Sequence, residues 1–138
     1  MLTENEIDTM FTKIVLVAAL LVSSLAFGQQ AYAAGDAAKG KKVFNRCKAC
    51  HTLEKGKHRV GPSLLGVVGR KAGTAAGFTR YKGLKGADWV WDEKLLDAYI
   101  KNPRKFVKAR VKKNTSMVLK TSKAKDRANV IAYLKTKK

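Results

Sequence analysis

The chain has few of the residues that usually cross-link small proteins. It contains two cysteines, two histidines and two prolines among 138 residues. Two cysteines form at most one disulfide, so a disulfide-rich scaffold is excluded. The longest apolar run, Ile14–Phe27, has 14 residues. That is short of the roughly 20 residues that a membrane-spanning helix needs, so an integral membrane protein is not favoured.

Acidic residues are also scarce, with 10 against 29 lysines and arginines. The segment through position 33 contributes only Lys13 on the basic side and three acidic residues. The remainder therefore carries 28 basic and 7 acidic residues, a net charge of +21. Such a field attracts acidic partners and anionic membrane surfaces, and nucleic acid only non-specifically. We predict acidic protein surfaces with transient membrane-surface contact as partners, and no nucleic acid.

The amino-terminal segment resembles an export signal. Lys13 precedes the apolar run, and Ala31-Tyr32-Ala33 supplies an A-x-A cleavage site. We predict residues 1–33 as a signal peptide, residues 34–138 as one domain, and a periplasmic location. An uncleaved membrane anchor is the alternative. Residues 1–9 are acidic where a signal peptide is positive, so Met10 is the alternative start.

The two cysteines stand in the sequence Cys47-Lys48-Ala49-Cys50-His51, the C-x-x-C-H pattern of covalent haem attachment. This spacing lets both sulfurs reach one porphyrin edge and holds the imidazole under the iron. A thioredoxin-like redox pair would require a βαβ context, which the sequence does not show. A zinc site would require two further ligands, and only His58 is available. The pattern predicts one covalent haem c.

Apolar periodicity predicts helices and no strands. The predicted helices cover 36–46, 92–102, 103–109 and 122–135, with Ser122 as the last N-cap. Gly40 within the first helix is unfavourable by up to about 1 kcal/mol unless another helix crosses closely there. Residues 52–86 contain eight glycines and no periodicity. A loop of that length is unusual unless it wraps a central cofactor.

The second iron ligand decides the chemistry. Met117 is the only methionine after position 33, and it lies in a polar stretch where a core residue is not expected. A neutral thioether closing the iron is typical of electron carriers and raises the potential. His58 is the alternative ligand, although we expect it in solvent among Lys55, Lys57 and Arg59. An open iron would instead favour a haem enzyme of the peroxidase type, with Met117 displaced.

Residues 35–138 resemble the class I c-type cytochromes, closest to the cytochrome c2 and mitochondrial cytochrome c group. The matching features are Gly40 and Phe44, the haem motif, Val60-Gly61-Pro62-Ser63-Leu64, and the terminal helix around Tyr133. The resemblance implies an all-α fold of four to five helices with long loops around one haem. It also implies a monomeric electron carrier rather than an enzyme.

The resemblance further implies roles for individual residues. The Pro62 carbonyl would orient His51, Trp91 and Arg70 would lie at a haem propionate, and Tyr99 would lie near the Met117 sulfur. The segment around Tyr81 has one residue more than the family's aromatic pair, so its contact with the inner propionate is open.

Electron partners follow from charge and resemblance together. A bc1-type complex is the implied donor, and an oxidase, a photosynthetic reaction centre or a peroxidase is the implied acceptor. We expect their acidic surfaces to meet positive charge around the haem edge, and the candidate residues are Arg46, Arg104, Lys105, Lys120 and Lys123. A basic protein that adsorbs to anionic lipid and merely carries haem is the competing interpretation.

Overall fold

The structure is a computed structural model, and it describes residues 34–138. The predicted signal peptide and the alternative start at Met10 lie outside these residues. The described chain forms four helices: α1 Ala37–Phe44, α2 Glu93–Lys101, α3 Pro103–Val111 and α4 Ala124–Lys135. Within this part, β pairing is limited to one isolated antiparallel bridge between Lys71 and Val90. The predicted all-α fold with four to five helices is confirmed.

Side-chain caps fix where three of the helices begin. An acidic or amide side chain accepts a hydrogen bond from the backbone N–H three residues later, which satisfies a donor that the helix leaves unpaired. The pairs are Asp36 with Lys39 at 3.0 Å, Asp92 with Leu95 at 2.6 Å and Asn102 with Lys105 at 3.1 Å. Pro103 occupies the first position of α3, where its missing N–H costs nothing.

The predicted cap of the last helix is wrong. Helix α4 begins at Ala124, and its N-cap is Lys123, which makes no side-chain capping bond. The exposed Ser122 stands one residue too early in the chain. Its carbonyl instead accepts a hydrogen bond from Arg127 Nη1 at 2.6 Å.

Helices α1 and α4 cross at close range. A Cβ atom built on the buried Gly40 would lie 2.0 Å from the Asn129 carbonyl oxygen and 2.7 Å from Tyr133 Cβ. The rings of Phe44 and Tyr133 pack with centroids 5.5 Å apart. The glycine that is unfavourable within an isolated helix is thus required by the crossing, as predicted.

Helix α2 contacts both α3 and α4. Its predicted apolar stripe is buried at Leu96 and Tyr99. Four aromatic rings make a second core where α2 and α3 meet the loop before them, with centroids 4.9 to 6.0 Å apart: Trp89, Trp91, Tyr99 and Phe106.

The long loop between α1 and α2 is ordered by backbone hydrogen bonds to distant residues. Gly61 N–H donates to the Cys50 carbonyl at 2.8 Å, and Ala72 N–H donates to the Trp89 carbonyl at 2.9 Å. The first bond holds the loop to the haem motif, and the second holds it to the aromatic core. No helix among residues 34–138 is long and apolar enough to cross a bilayer.

Candidate haem site

An apolar cavity lies between the cysteine motif and the loop that carries Met117. It contains about 1040 Å³ of space free of protein atoms, counting its open mouth. Both cysteines, His51 and Met117 line it. The rest of the wall is mainly aliphatic and includes Leu64, Val67, Leu96, Ile100, Val130 and Leu134. Nitrogen and sulfur donors around an apolar space of this kind fit a porphyrin with a ligand on each side of its metal.

The His51 ring is held in one tautomer. Nδ1 lies 2.7 Å from the Pro62 carbonyl oxygen, which can only accept, so Nδ1 carries the proton. Nε2 is left with a free lone pair for a metal. Burial lowers the pKa of the imidazole; the bond to Pro62 partly opposes this, and the Arg70 charge adds to it. The neutral ring that a metal requires is therefore the favoured form.

Gly61 makes room for this ring. A Cβ at that position would lie 2.4 Å from His51 Cε1 and 2.9 Å from Nε2. Glycine is required here for the close approach of the imidazole, not for an unusual backbone angle. Gly61 N–H also bonds the Cys50 carbonyl, so the motif and the segment that orients it form one unit.

Both cysteines line the cavity, with Cys50 exposed and Cys47 half-buried. The segment after α1 continues in hydrogen-bonded turns. The Cys47 N–H donates to the Phe44 carbonyl, and the His51 N–H donates to the Cys47 carbonyl. Burial raises the pKa of the Cys47 thiol, while the neighbouring Arg46 lowers it. No group of three or more His, Cys, Asp or Glu residues in the described chain is placed to hold a metal, so the zinc interpretation has no ligand set there.

The sequence suggested that His58 lies in solvent. The structure instead places it in a hydrogen-bonded, half-buried position. Its Nδ1 accepts from Ser63 N–H at 3.0 Å, and its Nε2 donates to the Ala76 carbonyl at 2.9 Å. The ring also packs edge-on against Phe78, with centroids 5.4 Å apart. Its half-buried position follows from these contacts, which join two parts of the long loop between α1 and α2. With both nitrogens engaged, His58 is a poor candidate for the second iron ligand.

Met117 is half-buried in the cavity wall. Its N–H donates to Thr115 Oγ1 at 3.2 Å. Burial raises the pKa of the Tyr99 hydroxyl, and a hydrogen bond with Thr115 partly opposes the shift. No other methionine occurs in the described chain.

Three further predicted cofactor residues do not line this cavity: Arg70, Tyr81 and Trp91. Arg70 donates to the Leu65 carbonyl at 2.9 Å and the Ser63 carbonyl at 3.0 Å. Trp91 N–H bonds the Arg70 carbonyl at 2.9 Å, which places these two residues together. Tyr81 donates no bond to this pair; its hydroxyl accepts from Ala75 N–H at 3.0 Å.

The predicted docking residues are all exposed, but only some lie at the cavity. Arg46 lines it, and its Nη2 donates to the Lys120 carbonyl at 3.4 Å. Arg104 and Lys105 lie on the first turn of α3, and Lys123 caps α4.

Sequence reasoning missed the buried Arg127. Its guanidinium bonds Asp97 Oδ1 at 2.7 Å and the carbonyls of Thr121 and Ser122. The signal was present, since position 127 falls on the apolar face of α4 with Val130, Ile131 and Leu134. An arginine on such a face requires buried partners.

Comparison with known proteins shows the family. The cytochrome c family model matches residues 37–138. The chain belongs to the cytochrome c family. Cytochrome c2 of Rhodomicrobium vannielii is 43% identical over 120 residues, covering 86% of this chain and 92% of that protein. Cytochrome c-554 of Methylosinus trichosporium is 43% identical over 118 residues, covering 83% and 86%.

Two solved structures show the same fold. Ferricytochrome c2 from Rhodopseudomonas palustris has 39% identity and a TM-score of 0.68, over 75% of this chain and 99% of that one. Cytochrome cH from Methylobacterium extorquens has 44% identity and a TM-score of 0.66, over 75% and 100%. The fold is that of the class I cytochromes c, the cofactor is one covalent haem c with its iron, and the protein is a monohaem electron carrier and not an enzyme.

Proposed function

We propose that Cys47 and Cys50 bind the haem through thioether bonds and that His51 Nε2 and the Met117 sulfur are the two iron ligands. The observation that carries this proposal is the single cavity lined by all four residues. The fixed tautomer of His51 supports it, because the bond to Pro62 leaves Nε2 as the nitrogen available to iron. The bridging bonds of His58 remove the nearest competitor.

The haem supplies a reversible one-electron Fe(II)/Fe(III) couple. Within this proposal the chain performs three tasks around it. His51 and Met117 would both hold the iron, which would leave no site on the metal for a substrate. The aliphatic wall excludes water, which together with the neutral thioether favours Fe(II). Trp91 and Arg70, with Tyr81, would hold the propionate edge, and Tyr99 would position the methionine loop.

Replacing Met117 with alanine tests the ligand assignment. The oxidised wild-type protein should be low-spin and show the weak far-red absorption of a methionine sulfur on ferric haem. Met117→Ala should lose this band, have a lower potential and bind small exogenous ligands. Leu119→Ala is the control, because Leu119 lines the same cavity from the same loop and has no donor atom. An unchanged spectrum in Met117→Ala would refute the assignment.

We further propose that the protein works in the periplasm after cleavage behind Ala33. The support is the 14-residue apolar run and the A-x-A site, both outside the described residues. Mass spectrometry of the native protein should give residues 34–138 plus one haem. Full-length protein found only with membranes would indicate an anchor instead.

The electron partners we propose are a bc1-type complex as donor and an oxidase, a reaction centre or a peroxidase as acceptor. Arg46 lines the cavity and donates to the Lys120 carbonyl, and the other three predicted docking residues are exposed: Arg104, Lys105 and Lys123. Positive charge at the mouth would steer an acidic surface toward the haem edge. Electrostatic steering raises association rates by about 10- to 1000-fold and weakens with salt.

Charge reversal distinguishes a docking face from net charge alone. Arg104→Glu with Lys105→Glu should slow the bimolecular reaction with a purified bc1-type complex and reduce its salt dependence. Lys137→Glu with Lys138→Glu changes the net charge equally at the carboxyl terminus and should have a much smaller effect. Equal slowing by both pairs would contradict a docking face.

A further inference from the structure

The loop that carries Met117 is fastened by a buried arginine. Arg127 in α4 is 6% exposed. Its Nε donates to Asp97 Oδ1 of α2 at 2.7 Å, and its Nη1 donates to the Thr121 carbonyl at 3.1 Å and the Ser122 carbonyl at 2.6 Å. A buried guanidinium is tolerated only when it is paired and hydrogen-bonded, and these three bonds meet that need.

Two of the three acceptors belong to the end of the methionine loop. Thr121 is buried, and its N–H also donates to the Ile100 carbonyl in α2 at 2.8 Å. The Lys120 carbonyl accepts a hydrogen bond from Arg46 Nη2 at 3.4 Å. Residues 120–122 are thus bonded to the haem-motif segment, to α2 and to α4 at once.

Met117 lies four residues before Thr121. Four residues span at most about 14 Å of extended chain, so the anchor limits where the sulfur can go. We propose that Arg127, balanced by Asp97, is a positioning residue that holds the Met117 sulfur in the cavity and so sets how easily another ligand displaces it. This inference rests on the proposed Met117 ligation.

The physical basis is a population shift. An exogenous ligand reaches the iron only in molecules whose Met117 segment has moved away, so its apparent affinity is proportional to the fraction of such molecules. Weakening the bonds that hold residues 121–122 raises this fraction. Removing a partner from a buried hydrogen-bonded charge is costly. We therefore expect the fraction of molecules with a displaced Met117 segment to rise about tenfold or more.

The test uses imidazole binding to the oxidised haem protein. Arg127→Lys keeps the charge but lacks the planar fork that reaches Asp97 and two carbonyls together. Asp97→Asn keeps the shape of the side chain but removes the balancing charge. Glu93→Gln is the matched control, because Glu93 pairs with Lys135 across the same two helices at the surface and does not reach the loop.

We expect imidazole to bind Arg127→Lys and Asp97→Asn about tenfold or more tightly than wild type, with a weaker far-red band. Glu93→Gln should stay within about twofold of wild type, as exposed pairs contribute little. Far-ultraviolet circular dichroism of each variant, at a temperature well below its unfolding midpoint, separates local loosening from global unfolding.

Two outcomes would overturn the inference, and they are distinguishable. Wild-type imidazole affinity and an intact far-red band in both folded variants would show that Arg127 does not position Met117. A wild-type protein without the far-red band would refute the Met117 ligation itself, and the positioning role with it.

Discussion

Replacing Gly40 with alanine separates helix propensity from helix packing. Alanine is the better helix former by about 1 kcal/mol, so the sequence of α1 alone predicts a more stable protein. The structure predicts the opposite. The new Cβ would lie 2.0 Å from the Asn129 carbonyl oxygen, and ordinary contact begins at 3.4 Å. The two backbones would have to separate by about 1.4 Å, because a carbonyl within a helix cannot move alone.

That separation would loosen the fully buried side chains on either side, Phe44 and Ile131. Overpacking of this kind costs typically up to about 3 kcal/mol. After the gain in propensity, we expect a net loss of about 2 kcal/mol. For a domain of about this size, that lowers the melting temperature by roughly 8–16 °C.

The assay is thermal and denaturant unfolding of the haem protein, followed by far-ultraviolet circular dichroism. Ala38→Gly is the control, because Ala38 is exposed on the same helix and reports the propensity term alone. Ala38→Gly should lower the free energy of unfolding by about 1 kcal/mol or less. Equal and opposite effects of the two variants would mean that packing at Gly40 contributes nothing and that the steric reasoning is wrong.

Three further predictions concern the other elements. Gly61→Ala should push the His51 ring from its position, and electron paramagnetic resonance should detect high-spin ferric haem; an unaltered low-spin signal would contradict the contact. Asp36→Ala should destabilise α1 at neutral pH, because hydrogen bonds from Lys39 hold the pKa of Asp36 below its usual 3.8. A lowered carboxylate pKa stabilises the fold above the unfolded pKa and loses that effect as pH falls through the folded pKa, so the melting temperatures of variant and wild type should converge in acid. Phe44→Ala should cost about 3–5 kcal/mol in chemical denaturation, whereas Val118→Ala, at an exposed position, should change stability by about 0.5 kcal/mol or less.

Local sequence patterns predict the helices, the haem motif and the close crossing at Gly40. These features are local, or they depend on a spacing within one segment. Apolar periodicity places α2 within one residue of its observed start because Asp92 is both an N-cap and the residue before the apolar stripe. A cavity-lining role for Met117 was also accessible, since it is the only methionine in the described part of the chain.

Tertiary structure decided the interactions that join distant segments. The His58 ring donates to the Ala76 carbonyl and accepts from the Ser63 N–H. Chain reversals bring these groups to the ring, and glycine-rich sequence does not encode such reversals as periodicity. Helix α4 begins two residues after Ser122, whose carbonyl accepts a hydrogen bond from Arg127 Nη1. The Arg127–Asp97 pair links positions 30 residues apart. Such bonds form only when packing has excluded water, and that condition belongs to the assembled core rather than to any one segment.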